Sequence, residues 1–350
     1  MKKYIFAIIF LICIGSLFGA WADFSYYQEH IISASSGAGT NYQFNLTVYK
    51  GTGTSSGSSV YLETHCQDDF DDVVVFDNDQ TTRLDSWIES TVSGTSCELW
   101  FELADDVSTS ACTVYVAYGD ADGTSLSDGS NTFAVFDDFN SALSSSLWDD
   151  SNDAGITYST SSGDLLVTGN ASRGYITSVS SIQTGCSMFA NIKLNDESQA
   201  FSHPFGMVQD ANNSVDIYGG TNDDKWAHAT KEDGTTSTVT STIGDLELDY
   251  VIWELTWLDN SSKLSMDGAL EHTSATNVND PTDNPIYIKI ARGSLTTDTA
   301  YLDWIAVRKL IATEPAHSTW GSETAIGGGS SITIDQINGR DVSDIEFYVP

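Results

Sequence analysis

Positive charge is scarce in this chain. Across 350 residues, 14 Lys and Arg face 49 Asp and Glu, for a formal net charge of -35. That imbalance argues against nucleic acid as a partner, because a surface of this sign repels phosphate. Long apolar runs are equally rare: there is one, from Tyr4 to Phe18, preceded by Lys2 and Lys3 and followed by Ala20-Trp21-Ala22. It is shorter than the ~20 residues of a spanning helix, and the small-x-small triplet suits signal peptidase. The expectation is a signal peptide over residues 1–22, cleaved before Asp23, and a mature chain that is secreted or at the cell surface without membrane insertion; the alternative is a retained N-terminal anchor. Loss of two lysines leaves 49 acidic and 12 basic residues, a net charge of -37. Of the acidic residues 36 are Asp, many beside Gly, Ser and Asn, where Asp favours turns and a solvated acidic surface.

Cysteine is sparse. Cys66, Cys97, Cys112 and Cys186 remain after the leader. Export permits a disulfide, and the expectation is Cys66 with either Cys97 or Cys112. Cys97 and Cys112 are expected at the far ends of one hairpin, out of register for each other. Cys186 alternates with Met188, Ala190 and Ile192 and reads as a buried thiol. The six histidines are scattered, with no Cys/His zinc spacing and no Ser-His-Asp order that stands out.

A 3.6-residue apolar period of helical length is also missing. In its place, short alternating runs recur between Gly, Ser, Asn and Asp, which makes the sequence all-β. In residues 97–104, Cys97, Leu99, Phe101 and Leu103 face one way; residues 111–118 repeat the pattern, so the two read as a hairpin. Longer strands follow at 186–194, 205–209, 214–218, 250–258, 263–270, 286–291 and 301–309, with Trp253 and Trp257 on a core-facing side. The length suggests two consecutive antiparallel β-sandwich domains, 23–133 and 134–310. Residues 311–350 read as a linker with Gly327-Gly328-Gly329 and a strand-like tail from Ile332, which either docks back or begins a further domain.

Val60-Tyr61-Leu62 with Cys66 and Asp69-Phe70, then Asp77-Asn78-Asp79 before Trp87-Ile88-Glu89, then Tyr118-Gly119, Ser127-Asp128-Gly129 and Thr132-Phe133 resemble domain-of-unknown-function family 2341, over about residues 24–133. Val74 departs from that family, which commonly has arginine in this strand. Val135-Phe136-Asp137-Asp138-Phe139-Asn140, Ser162-Gly163-Asp164-Leu165 and Tyr301-Leu302-Asp303-Trp304-Ile305-Ala306-Val307 are similar to concanavalin A-like jelly rolls, including glycoside hydrolase family 16 and laminin G-like modules, over about 134–310.

The hydrolase resemblance implies Glu-x-Asp-x-Glu on one strand, since a retaining mechanism wants carboxyls about 5 Å apart. The matching strand here is Ser214-Val215-Asp216-Ile217-Tyr218, which keeps the middle aspartate alone. Glu247-Leu248-Asp249 begins similarly, but Glu254 follows at an odd spacing and falls on the other face. The expectation is therefore no enzyme. The resemblance also implies a structural calcium held by the Asp303 carboxylate and the carbonyls of Asp138 and Gly163. The leading reading is an extracellular recognition or adhesion protein binding a polysaccharide or glycoprotein. Asp216, Tyr218, Tyr287 and Lys289 would form the floor, with Trp226 on a neighbouring loop. The alternatives are a structural spacer of a surface layer or stalk, which four N-x-S/T sequons at Asn45, Asn170, Asn212 and Asn260 would suit, and a divergent hydrolase.

Overall fold

The computed structural model describes residues 20–151, 157–168, 174–194, 205–219, 225–245, 249–292 and 299–327, with two short strands at 336–337 and 340–341. The apolar run at 4–18 lies outside them. Among the described residues, no helix is long and apolar enough to cross a membrane.

The first sandwich contains β1 (Tyr26–Ile32), β2 (Tyr42–Tyr49), β3 (Ser59–Tyr61), β4 (Val74–Phe76), β5 (Ser86–Val92), β6 (Ser96–Leu103) and β7 (Cys112–Tyr118), then a short helix α1 (Gly129–Thr132). β6 alternates half-buried and buried along its whole length, as its sequence pattern requires. It does not pair with β7, however. β6 lies between β2 and β5 in one sheet, while β7 lies between β1 and β4 in the other. The expected hairpin is thus a crossover, and the reason is physical: two strands with one apolar face each are satisfied equally well side by side or facing across a core. Leu99, Phe101, Val114 and Val116 meet in that core. Cys66, Cys97, Cys112 and Cys186 are all buried, and all four are free thiols, so the expected disulfide is not formed. Burial raises the Cys66 and Cys112 thiols to about 12.

The second sandwich contains β8 (Val135–Asp137), β9 (Trp148–Asp149), β10 (Thr157–Ser161), β11 (Asp164–Thr168), β12 (Gly174–Ser178), β13 (Cys186–Leu194), β14 (Phe205–Asp210), β15 (Asn213–Gly219), β16 (Lys225–Glu232), β17 (Thr235–Asp245), β18 (Val251–Leu258), β19 (Ser261–Met266), β20 (Ala269–Ser274), β21 (Tyr287–Arg292) and β22 (Thr299–Lys309). One sheet runs β10-β11-β22-β13-β18-β19-β20, with β8 on β22; the other runs β17-β16-β15-β14-β21-β12-β9. The pairing is antiparallel throughout, and the architecture is a concanavalin A-like jelly roll. The single strand expected over 263–270 is instead two, split at Asp267-Gly268, whose φ values of 45° and 77° fit a two-residue hairpin turn. Trp253, Trp257, Leu255, Ile217 and Ile288 fill the space between the sheets.

After β22 the chain returns to the first sandwich. β23 (His317–Trp320) and β24 (Thr324–Ala325) both pair antiparallel with β1. The docking segment therefore precedes the glycine run, in residues whose sequence reads as linker, and the jelly roll sits between two parts of the first sandwich. His30, fully buried on β1, anchors the return. Its ring stacks on Trp320 at 3.8 Å, and its Nε2 lies 2.8 Å from His317 Nδ1. The seam between the sandwiches is aromatic: Trp87 and Phe133 pack against Phe136, Phe189 and Trp304. Arg308 closes it, with its guanidinium 2.5 Å from Glu314 and over the Trp100 ring.

Candidate functional site

The outer face of the seven-stranded sheet follows from strand alternation. On β21, Ile286, Ile288 and Ile290 are buried in the core, so Tyr287 and Lys289 project outward, both half-buried. On β15, Val215 and Ile217 point inward, which sends Ser214 and Asp216 outward. Tyr218 is opposite Ala227, and its side chain lies outside the described residues. One row of paired positions crosses the sheet as Thr238, Ala229, Asp216, Gly206, Lys289 and Thr177.

Gly206 decides the chemistry of that row, and sequence reasoning missed it. A Cβ there would meet Asp216 Oδ1 at 2.4 Å, so only glycine lets Lys289 pass over β14 to its partner. The signal was available, since a glycine inside a strand marks a close approach. Lys289 Nζ forms an ion pair with Asp216 Oδ1, and Ser214 Oγ donates to Asp216 Oδ2 at 2.7 Å. Asp216 is 4% exposed. The face therefore holds a neutralised pair, with half-buried Tyr287 beside it and Tyr175 exposed on β12. β15 carries a single carboxylate, where retaining hydrolysis needs two about 5 Å apart. Glu254 faces the other sheet's outer side and accepts from Ser187 Oγ at 2.6 Å. Glu247 lies outside the described residues.

Trp226 is a correction. It is not on a loop but in β16, 1% exposed, with its ring 4.8 Å from that of Trp253 inside the core. On that strand the large residues Trp226, His228 and Thr230 turn inward and the small Ala227 and Ala229 outward, a pattern that the polar flanking sequence hides. Behind the row, His228 Nδ1 is 2.9 Å from His272 Nδ1, and its Nε2 is 2.8 Å from Ser262 Oγ. Burial, then the neighbouring His272, depresses His228 to about 4, so the pair is uncharged at neutral pH.

The positions expected to hold calcium converge at one end of the jelly roll. Gly163, at φ 86°, forms the β10–β11 turn with Ser162 at φ 58°, and Asn140 Oδ1 is 3.1 Å from where a Gly163 Cβ would be. Asn140 in turn donates to Asp138 Oδ2. Asp303, on β22, accepts from Asn191 Nδ2 at 2.9 Å. Burial, then the neighbouring Asp164 and Asp138 charges, holds its carboxyl above the usual carboxylate range. A cation would relieve that repulsion, and the donors are the hard oxygens that calcium takes. Among the described residues no three acidic, histidine or cysteine side chains converge to hold an ion by themselves. An ion here would thus depend on the two carbonyls as well as on Asp303.

The sequence model described as "Domain of unknown function (DUF2341)" matches residues 69–151. It starts later than the motif resemblance and runs past Phe133 into the second sandwich. Comparison with curated proteins finds no significant match. Among solved structures, the laminarinase catalytic domain of Thermotoga maritima is 12% identical, with a TM-score of 0.42 over 51% of this chain and 98% of that one. An endo-β-1,3-glucanase from Pyrococcus furiosus is 14% identical, with a TM-score of 0.42 over 52% and 95%. LamAcat from Zobellia galactanivorans is 13% identical, with a TM-score of 0.41 over 52% and 100%.

Proposed function

We propose that the chain is a non-catalytic, extracellular or cell-surface recognition and adhesion protein that binds a polysaccharide or glycoprotein glycan on the outer face of the seven-stranded sheet. The observation that carries this reading is the Asp216–Lys289 ion pair across Gly206. It leaves no free pair of carboxylates on β15 for acid/base work, while offering a near-neutral polar floor bordered by Tyr287 and Tyr175. Sugar rings stack on such aromatic faces, and their hydroxyls bond to the polar pair. Calcium at Asp303, Asp138 and Gly163 would tie the ends of the jelly roll without taking part in binding. The spacer reading draws support from the aromatic seam and the returning strands, which hold the two sandwiches together.

The test is a glycan array followed by calorimetry on the best ligands, alongside an assay of reducing-sugar release from β-glucans. Binding without turnover, weakened by the paired change Asp216→Asn with Lys289→Met, is expected. Turnover abolished by Asp216→Ala would establish a divergent hydrolase instead.

A further inference from the structure

A second concavity, independent of the jelly-roll face, opens at the seam between the sandwiches. It has a volume of about 390 Å³ and is lined by Trp87 and Phe136, which are 8% and 9% exposed and show it an edge each, and by Asp128, Ser130, Asp137 and Asp138. That volume is within the range of small-ligand clefts, and domain seams are a common place for them. Phe136 lies flat on α1, where a Cβ at Gly129 would meet its ring at 2.3 Å; the glycine is what lets the wall close in.

The polar wall is acceptor-rich. Asp137 accepts from Trp148 Nε1 and the Phe139 amide, and Asp138 accepts from the Asn140 amide and Nδ2. Asp128 accepts from Ser130 Oγ and from the Asn131 amide and Nδ2. A carboxylate offers roughly four lone-pair positions, so, counting donors among the described residues, these three retain about five between them. Among the described residues no basic side chain lines the groove, so an anion is disfavoured. A bare metal ion is also disfavoured, since no three acidic side chains among the described residues converge on one point. What fits is a donor-rich molecule with one apolar side. All six wall residues fall within 69–151, the span matched by the family model, which crosses the seam without stopping at the end of the first sandwich.

We propose that this groove binds a single hydroxylated, non-anionic ring of sugar size, its apolar side on the exposed edges of Trp87 and Phe136 and its hydroxyl or ammonium donors on Asp128, Asp137 and Asp138. An amino sugar binds better than a neutral sugar, and a uronate does not bind.

Saturation-transfer NMR on the full chain, with glucosamine, glucose and glucuronate as probes, tests this and reads millimolar binding. The expected order is glucosamine, then glucose, with no glucuronate signal. Ser130→Trp, at an exposed position, fills the groove and abolishes binding. Asp128→Asn keeps the helix cap and weakens glucosamine about two- to fivefold, the size of one partly exposed charge contact. Both variants leave glycan binding at Lys289 and Asp216 intact, and the Lys289 and Asp216 variants leave this site intact, so the two sites fail separately. No signal from any probe, glucuronate binding as well as glucosamine, or binding unaffected by Ser130→Trp would each overturn the assignment.

Discussion

Acid should release the returning segment, and the His30–His317 pair sets the size of the effect. His30 is fully buried; burial first, then the facing His317, lowers its pKa from 6.5 to about 3, against the opposing pull of the Thr319 carbonyl. Burial lowers His317 too. Below pH 6.5 the unfolded chain gains a proton at His30 that the folded chain refuses. Stability then falls with pH by about 1.4 kcal/mol per unit until the folded pKa is reached. Between pH 6.5 and 4.5 this amounts to about 2–3 kcal/mol, or roughly 5–10 °C in Tm for a unit of this size. Buried carboxyls work in the opposite direction. Asp72, Glu89 and Asp137 are raised by burial, so their penalty is relieved as pH falls. A comparison with His30→Phe cancels them. Phenylalanine keeps a ring on Trp320 and removes the titration, so Tm of the variant should fall less steeply by that amount, whatever its value at pH 7.5. Calorimetric scans from pH 4.5 to 7.5 give the two slopes. Parallel curves would refute the reasoning, showing that acid opens the protein elsewhere, with His228 the next group to test.

Calcium should raise the Tm by mass action, about 2.7 kcal/mol at a hundred times its dissociation constant, and a chelator should reverse it. Asp303→Asn keeps the hydrogen bond geometry and should erase the response; identical melting with ion and with chelator removes the site. Glu314→Gln removes the nearer partner of Arg308, leaving Glu254 at 3.8 Å, and should cost about 1–3 kcal/mol, less than a fully buried pair because Glu314 is 39% exposed. Limited proteolysis should then cut near residues 311–316 sooner than in the unmodified chain, and unchanged Tm and cleavage would show that the aromatic seam alone holds the sandwiches.

Alternation made most of the fold legible. β6, β7, β13, β18 and β22 sit close to where their patterns place them, because one face of each is buried and a one-residue slip would expose it. Strand partnership was not legible, as β6 and β7 show: periodicity tells which face is buried but not which neighbour shares the hydrogen bonds. β16 and β17 were missed because β16 turns Ala227 and Ala229 outward and His228 and Thr230 inward, and the β17 sequence is rich in Thr and Ser, which mutes the apolar signal. On the seven-stranded sheet, the outward register of Asp216, Tyr287 and Lys289 was legible from alternation with the buried residues of their strands. Trp226 was misplaced because an aromatic near glycine and aspartate reads equally well as loop or core. The partnership of Lys289 with Asp216 depends on two strands that are distant in sequence, and nothing local announces it.

The way the sandwiches meet narrows where a large ligand can bind. The outer side of the β13–β22–β18 sheet gives Phe189 and Trp304 to the seam, and the outer side of the β5–β6 sheet gives Trp87 and Trp100, so each covers the other. The outer side of the β1–β7–β4 sheet is covered in part by Phe24, Leu126 and Ile326, which pack with Phe76 and Tyr115. Among the described residues, the outer face of the seven-stranded sheet takes no part in these contacts; the Asp216–Lys289 row crosses it, with Asp216 itself 4% exposed. On the proposed function, a polymer would bind on that face or along the exposed strand edges. Edge binding is a matter of backbone hydrogen bonds, which Tyr287→Ala and Lys289→Met leave untouched, whereas face binding depends on those side chains. Loss of glycan binding on either substitution, with the fold intact by near-ultraviolet circular dichroism, would therefore assign the ligand to the face; full retention on both would move it to the edges.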